Sequence, residues 1–153
     1  MRSCAAVRGV LLSATFDTMF EFGPDGAWLD QLAVRELPLP PAGTRTWPAD
    51  PGRIVAVDLR DGTTARGKPL AWARSSGGWA CLLIWACKRR HVLGARRHAR
   101  WGWYLYDKEH LRDEPDIYAG RPGASFGVRY LPGYEAALAE ARAALAELAA
   151  PRR

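Results

Sequence analysis

Apolar and polar residues alternate most clearly between residues 53 and 107, in runs too short for helices and separated by turn-forming residues. RIVAVDL (53–59) predicts a strand, and Asp61-Gly62 predicts a hairpin turn after it. TARGKPLAWAR (64–74) predicts a second strand, bent or bulged near its middle by Gly67 and Pro69. A turn at Ser75-Ser76-Gly77-Gly78 leads into WACLLIWAC (79–87), which is apolar at successive positions and reads as a central strand covered on both faces. WGWYLYD (101–107) predicts a fourth strand, and residues 107–112 read as one helical turn leading out.

Outside that block the pattern is sparser. Residues 10–22 are rich in aliphatic residues, Thr and Phe and predict a strand, and GPDG (23–26) predicts a turn. AWLDQLAVREL (27–37) sets Trp28, Leu29, Leu32 and Ala33 at helical spacing and predicts a short helix. Residues 38–52 are rich in Pro, Gly and Thr and read as an extended linker. Within it, Pro38, Pro40 and Pro41 favour a polyproline run that an aromatic groove can bind and that is long enough to lie back across this protein's own strands, but a stiff spacer is the simpler expectation. A second Pro/Gly-rich linker covers 113–132, with SFGVRYL (125–131) as a short strand inside it. The clearest helix is the C-terminal one, where Tyr134, Leu138, Ala141, Leu145 and Leu148 recur at spacings of 4, 3, 4 and 3. Two heptads do not stand alone in water, so this seam must dock on the strands or on a partner subunit.

The elements together predict an α+β protein in five stretches: an N-terminal strand and helix (1–37), a linker (38–52), a small β domain (53–112), a second linker (113–132) and a helix (133–150). Four short strands joined by tight turns suggest a strongly bent antiparallel meander with Trp72, Trp79, Trp85, Trp101 and Trp103 in its core. In length and rhythm the block resembles an SH3-like small barrel, with an OB-like barrel as the alternative. That resemblance is to an architecture and rests on no diagnostic motif.

Charge changes the picture at one place. The net charge is +6, from 22 Lys/Arg against 16 Asp/Glu, and CKRRHVLGARRHAR (87–100) holds six of the basic residues and no acid. The rest of the chain is therefore balanced, and the whole excess sits between two tryptophan-rich strands. A local patch of this kind is an electrostatic footprint for an anionic partner. Lys88, Arg89, Arg90, Arg96, Arg97 and Arg100 are the candidate phosphate contacts, and Trp103, Tyr104 and Tyr106 beside them are candidate stacking rings. The competing reading is a solvated hairpin with Gly94 at its tip. The choice of Arg over Lys carries little meaning, because Arg predominates throughout and Asn is absent, as in the coding bias of a GC-rich bacterial genome.

Other chemistry is weakly signalled. Cys4, Cys81 and Cys87 are odd in number and form no CxxC, which speaks against a disulfide framework. On one extended strand Cys81 and Cys87 lie roughly 20 Å apart at ~3.3 Å per residue, too far to share an ion, and His91, His98 and His110 do not complete a four-ligand set. No metal or cofactor is expected. Asp107-Lys108-Glu109-His110 is the densest run of titratable groups, but neighbouring side chains diverge, and no nucleophile elbow, phosphate-cradling loop or zincin motif occurs. The expectation is a non-enzymatic protein. The N-terminus resembles a signal peptide only superficially, since Arg8 interrupts its apolar run, and Met19 is an alternative start. No segment approaches the ~20 apolar residues of a membrane span, so a cytoplasmic protein without membrane contact is expected.

Two functions fit these features. One is a nucleic-acid-binding accessory protein, for DNA or RNA, that grips phosphates through the basic hairpin. The other is a protein-interaction module, using the aromatic surface of the strands or the helix positions Tyr134, Leu138, Leu145 and Leu148 for a partner or for self-association.

Overall fold

The computed structural model describes residues 26–114 and 127–150. The strand expected over 10–22, most of the 23–26 turn, Cys4, the Met19 start and residues 115–126 of the second linker lie outside the described residues.

Seven strands form one antiparallel sheet: β1 (Glu36–Leu37), β2 (Thr46–Pro48), β3 (Ile54–Asp58), β4 (Thr64–Ser75), β5 (Gly78–His91), β6 (Gly94–Leu105) and β7 (Leu111–Glu114). Their order is β1-β6-β5-β4-β3-β7, with β2 paired to β4 off that path, and the sheet does not close on itself. One helix, α1 (Tyr134–Ala149), follows a short 3-10 turn over Val128–Tyr130, where the sequence suggested a strand. Among the described residues no helix is long and apolar enough to cross a membrane.

The four strands legible in the sequence are β3 to β6. β5 is central, paired to β4 on one side and β6 on the other, as its two-faced apolarity required. The expected irregularity in β4 is a register shift between Pro69 and Ala71, where a residue without an N–H breaks the ladder. Two residues earlier, Gly67 passes so close to its neighbours that a Cβ there would lie 2.9 Å from Leu83 Cδ1 and 3.1 Å from Val57 Cγ2. The bend of β4 over β3 depends on that missing side chain.

Each face of the sheet has its own core. On one, Cys81, Leu83, Trp85 and Cys87 of β5 pack with Val55, Val57, Leu59 and Leu111 and are covered by Leu32 and Val34. On the other, Leu82 and Ile84 meet α1 through Ala137, Ala141 and Leu148, with Trp103 between them. The heptad seam thus docks on the protein's own sheet, with Tyr134 and Leu148 buried and Leu138 and Leu145 half-buried.

The helix expected over 27–37 is not formed. Those residues run extended, with isolated bridges from Trp28 to Arg89 and from Leu32 to Leu59, and they lead into β1. The N–H groups of Gly26 and Leu29 reach the carbonyls of Arg90 and Lys88, and the N–H of Ala33 reaches that of Asp58. Asp30, Leu32 and Val34 are buried and Gln31 and Arg35 exposed, a period of two that the helical reading missed. The end of β5 beyond its pairing with β4, and the chain leaving β3 at Asp58–Arg60, offer this strip backbone partners and outweigh its modest helix propensity. The first linker is likewise structured. It contains β2, and Leu37–Pro41 lies over the sheet against Trp103 and Leu105, walling a cavity of about 460 Å³, so the proline-rich run is part of the fold rather than a spacer. At the other end, the turn after β6 is present, with the N–H groups of His110 and Leu111 both donating to the carbonyl of Asp107, and its last residue begins β7.

Candidate functional site

The basic segment is not a long loop. β5 and β6 continue through it, pairing residue by residue up to His91 and Gly94, so that only Val92 and Leu93 form the turn. Two like-charged pairs face each other across this ladder, Lys88 opposite Arg97 and Arg89 opposite Arg96. Directly opposed like charges destabilise a sheet, so the hairpin stands only because the surroundings hold it.

At the base of the hairpin those surroundings are specific. Arg97 Nη1 donates to Asp30 Oδ2 at 2.9 Å and to the carbonyl of Ala86 at 2.9 Å. Asp30 is 8% exposed, and the same oxygen accepts the N–H of Lys88 at 3.0 Å. Arg89 donates through Nε to the carbonyl of Gly26 at 2.9 Å, and its guanidinium lies 4.7 Å from the centre of the Trp28 ring. Arg100 lies 5.5 Å from that ring and 3.6 Å from a Glu36 oxygen. His98 meets Trp28 edge-on at 5.6 Å. Burial holds the His98 imidazole below its ordinary range, and the nearby Arg89 and Arg96 charges add to that. A cleft of about 380 Å³ opens here, lined by Trp28, Arg89, His98, Arg100, Trp101 and the start of α1.

Toward the tip the surroundings thin out. Arg96 is exposed, as is Lys88 opposite Arg97, and together with Arg89 they form no ion pair with a described carboxylate. Arg96 Nε donates to His91 Nε2 at 2.9 Å. Arg90, by contrast, is 2% exposed and folded inward, where its Nη1 donates to the carbonyls of His91 and, at 2.6 Å, Gly94.

The three rings proposed as stacking platforms are placed differently. Trp103 and Tyr104 are buried and offer no face to a ligand in this conformation. Tyr104 Oη accepts a hydrogen bond from Trp85 Nε1 at 3.0 Å, and burial pushes its phenol up to about 12. Tyr106 is half-buried, edge-on to Trp72 at 5.3 Å. Strand alternation supplies no base-facing row here because both faces are covered. The ring that does stand among the arginines is Trp28, which the sequence reading assigned to a helix. The bracketing arginines could not have been inferred without knowing that residues 26–30 pair with β5.

A second aromatic surface also escaped the sequence reading. Trp79, expected in the core, is 39% exposed and meets Trp47 edge-on at 5.3 Å. Arg45 lies 4.6 Å over Trp47 and Arg74 lies 4.9 Å over Trp79.

The remaining titratable groups sort into structural pairs. Asp58 accepts two hydrogen bonds from Arg112, at 2.8 and 2.7 Å, and one from His110 at 3.0 Å, which hold its carboxyl well below the usual range. Asp113 pairs with Arg53 and Glu114 with Arg66, so these two acids are engaged away from the hairpin. Cys81 and Cys87 are free and buried, and burial pushes the Cys81 thiol up to about 12. Among the described residues no group of three or more His, Cys, Asp or Glu side chains is gathered as a metal site.

Comparison with protein-family models, with curated proteins and with solved structures finds no match to this chain.

Proposed function

We propose that this is a cytoplasmic, non-enzymatic accessory protein that binds nucleic acid through phosphate contacts made by the β5–β6 hairpin. The observation that carries the reading is the unneutralised charge at its outer half. Six Lys/Arg lie on one ribbon, and only Asp30 and Glu36 among the described carboxylates form ion pairs with them. Like charges registered opposite one another cost stability, and a phosphate backbone is a partner that would relieve them. The phosphate-contacting set is Lys88, Arg89 and Arg96, with Arg100 in the cleft beside Trp28. Arg90 and Arg97 hold the scaffold instead. We read the sheet as an incompletely closed SH3-like barrel, with an OB-like barrel second, whose gap is filled by residues 26–34.

The test is fluorescence anisotropy with labelled single-stranded and duplex DNA and RNA across a salt series. Wild-type affinity should fall steeply with salt. Lys88→Ala with Arg96→Ala should weaken binding to all sequences alike and lower the salt slope by about two, at roughly one unit per lost phosphate contact. Absence of binding at low salt, or a slope unchanged by the two substitutions, overturns the reading.

The Trp47–Trp79 surface favours a second reading, a protein partner docked on exposed tryptophan and arginine, residue types that dominate binding energy at interfaces. Binding of that kind would be insensitive to the hairpin substitutions.

A further inference from the structure

The tip of the hairpin is apolar, and its chemistry does not follow from phosphate binding. Val92 is 70% exposed and Leu93 is 99% exposed, the two most exposed large apolar side chains among the described residues. A two-residue hairpin turn ordinarily takes Asn, Asp or Gly, which supply the backbone conformations such turns need. Here both positions hold aliphatic residues, neither with positive φ, and the following Gly94 takes the left-handed burden at φ +150°. The turn's chemistry does not explain Val-Leu, nor does packing among the described residues, where the last backbone bonds from residues 26–29 reach only Arg90.

The tip is nevertheless held firmly. Arg90 spans the turn from beneath, donating to the carbonyls of both His91 and Gly94, and is itself buried. Cross-bracing a turn lowers the entropy lost when its side chains are immobilised on a ligand. The result is a rigid aliphatic knuckle flanked by exposed cations.

We infer that Val92 and Leu93 form a wedge that enters between adjacent base pairs of duplex DNA when Lys88, Arg89 and Arg96 hold the flanking phosphates. This rests on the nucleic-acid reading above and adds a mode to it. Apolar side chains inserted at a base step unstack it and kink the duplex, typically by ~20–90°, and the bend brings more phosphates to the protein. Pyrimidine–purine steps, which unstack most easily, are the preferred entry points. A bilayer is the other anionic surface with an apolar interior. The tip carries no Trp, Tyr or Phe, the residues that anchor at that interface, and the observations favour the base stack.

The experiment uses the full chain and a duplex of about 20 base pairs carrying 2-aminopurine beside a central TA step, with dyes at its ends. Anisotropy reports binding, 2-aminopurine fluorescence reports unstacking and end-to-end energy transfer reports bending. Wild type should bind, raise the 2-aminopurine signal several-fold and shorten the end-to-end distance. Val92→Ser with Leu93→Ser should still bind, about tenfold more weakly and with a salt slope no steeper than that of wild type, but without unstacking or bending. Leu93→Phe should restore both when combined with wild-type Val92. Binding by wild type without unstacking, or unstacking retained in the double variant, overturns the wedge while leaving phosphate binding intact. Absence of binding by wild type overturns both. Binding to phosphatidylserine vesicles that is lost in the double variant, with no signal on DNA, overturns the wedge in favour of a lipid surface.

Discussion

The base and the tip of the β5–β6 hairpin are built from the same residue types and behave as opposites. At the base, Arg97 is tied to Asp30 and to the carbonyl of Ala86, and His98 lies beneath the start of α1. At the tip, Arg96 reaches into solvent, and Val92 and Leu93 project beyond it. A count of positive charges treats these halves alike. Their surroundings separate them: a guanidinium paired with a buried carboxylate has its charge largely offset, while one without a partner among the described carboxylates keeps its field. Structural and ligand-facing arginines differ in partners, not in identity.

The comparison can be broken from the base first. Gly133 begins α1 at φ +78°, and a Cβ on it would lie 2.1 Å from His98 Cε1. Gly133→Ala should therefore cost about 2–4 kcal/mol, from the strained backbone and from displacement of the imidazole. Urea denaturation measures this, and a loss below half a kilocalorie would mean that α1 does not brace the hairpin.

Next in size is Asp30→Ala. It leaves Arg97 and the N–H of Lys88 without their shared acceptor, a charge-assisted pair of bonds whose loss should cost about 1.5–3 kcal/mol. The same variant adds net positive charge and should strengthen nucleic-acid binding at low salt. Weaker binding by a folded Asp30→Ala protein would show that the base, and not the tip, is the contact surface.

Arg90→Ala should be milder, at about 1–2 kcal/mol, because it removes two hydrogen bonds but also an incompletely satisfied guanidinium. Its local signature should be larger than its global one, with amide exchange at residues 91–94 accelerating more than exchange in the centre of β5.

Acid should act on the base through His98. Its folded-state value is depressed, so between that value and the ordinary one, ~6.5, the unfolded chain binds more protons than the folded chain. Stability should be fully present above that pH and decline as pH falls through it. Thermal melts of wild type and His98→Gln between pH 8 and 5 should diverge in slope. The depressed Asp58 carboxyl acts in the same direction but in a lower window, below ~4, so the two effects are separable.

The smallest expected effect on folding is at the tip. Leu93→Ser should change stability by no more than about 0.5 kcal/mol, since the side chain touches almost nothing. A larger loss would mean that the knuckle is a folding element.

Most of the sheet was legible from pattern alone. Period-two and two-faced apolar runs, bounded by Asp61-Gly62 and by Ser75–Gly78, specified β3 to β6, and Pro69 marked the break in β4. α1 was equally plain from its 3-4 spacing. The misreadings cluster where local pattern was ambiguous and distant edges decided. Residues 27–37 fit helical spacing and alternation about equally well, and the unpaired end of β5 and the chain leaving β3 selected the extended form. Thr46–Pro48 has no strand signal of its own and exists because β4 offers it an edge. Trp79 and Trp103 are one residue type on neighbouring strands, yet one is 39% exposed and the other 1%, according to what covers each site.

The sequence by itself determined the strands, the C-terminal helix and the location of the excess charge, because these depend on residue periodicity and composition within a few neighbours. Only the tertiary structure decided which arginines are occupied, which ring stands among them and that Val92 and Leu93 face solvent. Those properties depend on groups distant in sequence, such as Asp30 beside Arg97 across 67 residues, and no local pattern encodes a partner that folding alone brings near.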